Sequence, residues 1–187
     1  MGYFDCEYNA LGIDKPGVLV TNEESKVLAM LNGPFEPSGS IINLYSGTVR
    51  ATVLGSTETR TQYAAMQESI EMILSDIIYL RDYPRCVLDI KVYVISSGQN
   101  ILPAIINAIS VLLLNAGIQM KGILLSVSDH VVHATSGYVY ADKKYQKVLQ
   151  IGPQSQDNIS ELDDLLERMV YSLKEDYKKD WNISIHK

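Results

Sequence analysis

Asp129-His130-x-x-His133 sets two histidines three residues apart beside a carboxylate, and its residue types are those of a metal site. A structural or catalytic ion needs a third ligand at a regular spacing, and none stands nearby; the other histidine is His186. The pair falls in a predicted β turn, so a surface or packing role is the simpler reading. Ser126-Val127-Ser128-Asp129-His130 places serine, acid and base types in a row, but a nucleophilic triad is an arrangement in space that adjacency does not create. Cys6 and Cys86 have no neighbouring base or basic cluster to lower a thiol pKa. Ser97-Gly98-Gln99-Asn100-Ile101 is a turn ahead of an apolar run; Ser97 and Asn100 can donate to a phosphate or cap the helix that follows. These residues ask for no metal and no cofactor.

The elements that must position them change character along the chain. Gly17–Val20 and Lys26–Asn32 are short apolar runs around Asn22-Glu23-Glu24, which predicts a hairpin, with Gly33, Pro34 and Pro37 ending its second strand. Ile41–Leu54 is rich in β-branched residues and predicts a strand or a pair of strands. Between Thr59 and Tyr79, Met66, Ile70, Ile73, Leu74, Ile77 and Ile78 recur at helical steps, and Tyr83-Pro84 closes the segment. Cys86–Ile95 alternates as a half-buried strand. Ile101–Ala116 predicts a helix ended by Gly117 in the left-handed conformation.

Strands follow at Gly122–Val127, Val131–Ala134, Tyr138–Tyr140 and Val148–Ile151. A last helix spans Asn158–Trp181, with the stripe Ile159, Leu162, Leu166, Met169, Val170, Leu173 and Tyr177 and with Ser160 and Asp163 placed to cap its start. The order gives an α+β fold, a mixed α/β sandwich. No repeat or linker divides it, so residues 1–187 read as a single domain.

Composition narrows the function. The chain has 187 residues, 47% of them hydrophobic and 20% charged, which is ordinary for a globular domain. Its formal charge is −6, from 16 basic and 22 acidic residues. A protein that grips nucleic acid by itself usually carries a basic face and none is obvious here, so if this chain meets RNA, partners must supply much of the positive charge. The 12 tyrosines are scattered along strands and helix stripes and read as packing. Two unclustered cysteines fit a reducing compartment, although one disulfide stays open. Pro103, Asn107, Ser110 and Asn115 interrupt the longest apolar stretch, so a buried helix is expected there and no membrane span.

Three blocks carry a resemblance. The first runs from Gly17-Val18-Leu19-Val20 through Lys26-Val27-Leu28-Ala29 to Asn32-Gly33-Pro34 with the acid Glu36 behind it. The second is Tyr83-Pro84-Arg85, then Asp89-Ile90 and the strand to Ile95. The third is Asn107-Ala108, Leu112–Leu114 and Asn115-Ala116-Gly117-Ile118-Gln119-Met120. Together, over roughly residues 6–175, they resemble the RNase PH family and, within it, the RNase PH-like ring subunits of the eukaryotic exosome. The resemblance implies an RNase PH-like domain of the ribosomal protein S5 domain 2-like type.

It also implies where catalysis should reside. Phosphorolysis needs cations to hold a free phosphate and to meet charge as it develops. Active relatives use an Asp-Gly-Gly-Thr-Arg turn at a helix start, where amides and an arginine fork hold the anion. Here Ser97, Gly98, Gln99, Asn100 and Ile101 stand at that place, and Ile101 occupies the arginine position. Where active relatives carry several acids on a later strand, Gly137–Lys144 offers only Asp142. In the first helix, Glu71 and Met72 replace an arginine expected to face the site, and a glutamate would repel phosphate.

A degenerate phosphate pocket of Ser97, Gly98, Gln99, Asn100, Ile101 and Asp142, with no catalytic residue, is therefore expected. The resemblance implies a non-catalytic subunit of the exosome core ring, supporting 3'-to-5' RNA processing and degradation. Its partners would be other RNase PH-like ring subunits, cap proteins and single-stranded RNA in a channel, in the nucleus, nucleolus and cytoplasm. Arg81 and Arg85 are candidates for RNA contact or for interface salt bridges. The rival readings are a phosphorolytic or hydrolytic 3'-exoribonuclease acting as a homodimer and a general RNA-binding module.

Overall fold

The computed structural model describes residues 4–12, 16–22, 25–37, 43–55, 60–98, 101–129, 134–153 and 159–185. Eight strands and three α-helices are described. They are β1 (Phe4–Tyr8), β2 (Gly17–Asn22), β3 (Ser25–Phe35), β4 (Thr48–Leu54), α1 (Arg60–Ile77), β5 (Val87–Ser96), α2 (Leu102–Asn115), β6 (Ile123–Asp129), β7 (Ala134–Ala141), β8 (Lys144–Ile151) and α3 (Ile159–Ile185). The strands form a five-stranded sheet in the order β1-β2-β3-β5-β4 and a three-stranded meander β6-β7-β8. The mixed α+β architecture expected from the element order is the one observed.

The predicted hairpin is β2–β3, which pairs Val20 with Val27 and Asn22 with Ser25. Its second strand does not stop at Gly33-Pro34, as the two punctuating residues suggested. It continues to Phe35 across a register break between Asn32 and Phe35. A bulge of this kind accommodates a proline that cannot donate to the ladder. Gly33 sits there at φ +121°, where an added Cβ would meet the Val87 carbonyl at 2.5 Å. β1 lies in a segment that gave no strand signal. Within the stretch 41–54 a single strand, β4, begins at Thr48; Ile41 lies outside the described residues.

β4 and β5 pair in parallel, with α1 as the crossover between them. α1 ends at Ile77, ahead of Tyr83-Pro84. Ile78 then makes an isolated bridge to Met120, and a short 3-10 turn covers Leu80–Asp82. Of the predicted run Val131–Ala134 only Ala134 is described, as the first residue of β7.

α2 is the centre of the molecule. Twelve of its residues, Leu102 through Leu113, are buried, which fits a helix apolar on all sides. It packs on β2 and β3 of one sheet and on β6 of the other. Asn107, 1% exposed, ties it down: its amide donates to the Ser126 carbonyl (2.9 Å) and its carbonyl accepts the Ser126 N–H (2.8 Å). Gly117 terminates the helix at φ +67°. α3 touches β1 and β6 and buries Leu162 and Met169 of its stripe. Asp163 does not cap it; its carboxylate accepts the hydroxyl of Tyr145 on β8.

Candidate functional site

The turn between β5 and α2 is the place where a phosphate would be held. Ser97 is exposed, and the residue before α2 is Ile101, in helical conformation and without a side-chain cap bond. The Gly98 N–H donates to the hydroxyl of Ser25 (3.0 Å), which pins the turn to the β2–β3 hairpin. Gln99 and Asn100 lie outside the described residues. Ile101 is 8% exposed and belongs to the apolar core. Its carbonyl accepts the Ile105 N–H at 3.1 Å, the first bond of the helix.

Pro103, in the first turn, removes one of the amides a helix start can offer an anion. Leu102 and Ala104 beside it are buried. The partial positive charge of the helix end remains. The described side chains at positions 97–104 add no cation to it.

Asp142 is carried by a different element. Asp142 and Lys143, at φ +51° and +61°, form the two-residue turn of the β7–β8 hairpin. Opposite the end of β7 stands the start of β6, with Ile123 facing Tyr140. Further along β6, Ser126 meets Asn107 of α2.

Glu71 is bound to a neighbouring strand. Its carboxylate accepts the Ala51 N–H (2.8 Å), and the Gln67 side-chain carbonyl accepts the Val53 N–H (2.9 Å). One turn of α1 therefore satisfies the outer edge of β4, the last strand of the sheet. Glu71 serves the edge strand.

The candidate RNA-contact arginines sit on the loop after α1. Arg81 is exposed in the 3-10 turn, and Arg85, at φ +63°, forms an ion pair with Glu36. Both partners of that pair are more than half exposed, so it adds little stability. A neighbouring loop that the sequence reading passed over runs alongside. The Arg85 N–H donates to Asn43 (3.1 Å), and the Gly47 N–H to Leu80 (2.7 Å). The two loops form one ridge carrying Leu44 at 60%, Tyr45 at 84% and Tyr79 at 47% exposure beside the two arginines. Only the pairing of two distant loops makes these aromatics neighbours of Arg81 and Arg85, which no local pattern reveals.

The remaining candidates resolve individually. Ser126 is buried and its hydroxyl donates to the Ser136 carbonyl (3.0 Å), a packing role. His130, His133 and His186 lie outside the described residues. Among the described residues no three His, Cys, Asp or Glu side chains gather as a metal site, and no helix is long and apolar enough to cross a membrane. Both cysteines are free thiols. The Cys6 thiol is pushed up to about 12 by burial first and by Asp5 second, against the opposing hydrogen bond from Ser172.

A model of the 3' exoribonuclease family, domain 1 (RNase PH), matches residues 4–119, more than half of the chain. The chain belongs to the RNase PH family. Within this family it is similar to "Exosome complex component rrp46" of Schizosaccharomyces pombe, 31% identical over 108 residues. It is also similar to "Putative exosome complex component RRP41" of Caenorhabditis elegans, 32% identical over 118 residues. These stretches cover 57% and 58% of this chain but 48% and 49% of the two relatives, about half of their length. The crystal structure of rice (Oryza sativa) Rrp46 has the same fold, with a TM-score of 0.69 at 15% identity over 92% of this chain and 90% of that one. The RNase PH fold therefore extends past residue 119 into the second sheet, where the family model no longer matches.

Proposed function

We propose that this chain is a single-domain, non-catalytic RNase PH-like subunit of an exosome-type assembly, where it holds partner subunits and helps line a path for single-stranded RNA. Membership of the RNase PH family, together with relatives named as exosome components, supports the assembly. The observation that carries the lack of catalysis is Ile101. A phosphorolytic site needs a cation there, and the side chain is instead an aliphatic one buried in the core.

The ridge of Tyr45 and Tyr79 beside Arg81 and Arg85 supports a weak contact with single-stranded RNA, because bases stack on aromatic faces while arginines meet phosphates. Arg85 is already paired with Glu36, and the chain is acidic overall, so RNA affinity in isolation is low. The partners in this reading are other RNase PH-like ring subunits and cap proteins, in the nucleus, nucleolus and cytoplasm.

Two measurements test it. Purified chain incubated with labelled single-stranded RNA, magnesium and phosphate releases no nucleoside diphosphates; phosphate-dependent shortening that disappears in Asp142→Ala would replace this reading with the enzyme. Mass spectrometry of co-purifying chains recovers other RNase PH-like subunits, and their absence would sink the assembly.

A further inference from the structure

β1 is the outermost strand of the five-stranded sheet, and among the described residues no strand pairs with its far edge. α3 runs beside it, held by a hydrogen bond between Tyr8 and Ser172 hydroxyls (2.7 Å). Between strand and helix lies a groove of about 1170 Å³. That exceeds the roughly 300–1,000 Å³ of small-molecule sites, so the shape favours a longer occupant. β1 has five residues, and at about 3.4 Å per residue its edge is about 17 Å long.

The groove is acidic. Five carboxylates and two basic side chains line it, a surplus of three negative charges. Asp5, Glu175 and Arg168 already have interactions within the domain. Glu7, Asp164 and Glu167 give the rest of the negative field, and Tyr171, 67% exposed, adds an apolar platform. A nucleic acid would be repelled here. An extended chain of positive charge would meet opposite charges beside a strand whose far side no described strand pairs.

We propose that this groove takes an extended basic segment of a partner protein, added as a strand to β1. Lysine or arginine side chains of the segment would meet Glu7, Asp164 and Glu167, with alternate apolar side chains on Tyr171. Main-chain bonds give such complexes affinity and the alternating side chains give specificity. The proposal goes beyond the RNA reading and does not depend on it.

Fluorescence anisotropy with labelled synthetic peptides tests it on the intact chain. The probes are a heptapeptide alternating lysine and valine, the same peptide with its central residue replaced by proline, and a glutamate–valine counterpart. The expected result is saturable binding of the first and at least about tenfold weaker binding of the other two, a difference of about 1.4 kcal/mol. E7K and E167K, each checked for unchanged circular dichroism, weaken the lysine peptide by a similar factor. Equal binding of the proline peptide would reduce the contact to diffuse charge attraction and overturn strand addition. So would undiminished binding by both variants, no binding at all, or a dimer of this chain that E7K dissolves.

Discussion

An arginine at position 101 would have to leave its guanidinium inside an apolar cluster or swing it out past Leu102. The isoleucine there is 8% exposed, and its carbonyl starts α2. Ile101→Arg is therefore expected to lower stability by about 1–3 kcal/mol, the range for a polar group buried without full compensation, and to restore no phosphorolysis. Thermal unfolding and an RNA degradation assay check the two halves; an active, equally stable variant would contradict both. Asn107 is more demanding still. Asn107→Ala would strand a buried N–H and a buried C=O of Ser126 at once, for a loss of about 2–4 kcal/mol measured by urea unfolding. The sequence displayed Asn107-Ala108 as a motif but could not say why an amide belongs in an apolar helix. The answer is a contact 19 residues away. Asp142 is a related case: its place in a tight turn depends on strand register that residue types do not disclose.

Helices and strands with strong periodicity were legible; their partners were not. The stripe from Ile70 to Ile78 and the alternation of β5 follow from local spacing. β1 alternates polar and apolar residues over five positions only, too short to stand out from a loop. Pairing β4 with β5 in parallel rests on a crossover through α1 that no local pattern encodes. The same helix protects an edge. Ala51 and Val53 of β4 give their N–H groups to Glu71 and Gln67, so the strand offers fewer free donors to a foreign strand. A Gln67→Ala, Glu71→Ala double variant is expected to lose about 1–3 kcal/mol and to associate edge to edge on standing. Light scattering over time checks this, and a variant that stays as dispersed as the parent would refute it.

On the scale of the whole molecule, acidic charge argues against a self-sufficient nucleic-acid binder, and the structure adds a surface. Leu19, Leu28, Tyr93 and Leu54 stand opposite one another across β2, β3, β5 and β4, none of them buried. Apolar rows of this kind suit large protein interfaces. The isolated chain is accordingly expected to self-associate at high concentration or to bind another RNase PH-like subunit. Sedimentation at two salt concentrations decides: a monomer in every mixture refutes it, and complexes dissolved by modest salt would point to electrostatic contacts. The position of α2 between the two sheets has a consequence in time. Its amide protons can meet solvent only when both layers part together, so deuterium should enter α2 at the rate of complete unfolding, the slowest in the molecule. A chain cut at residue 119, where the family's sequence signature ends, would leave one flank of that helix bare, and its amides should exchange within the dead time of the measurement.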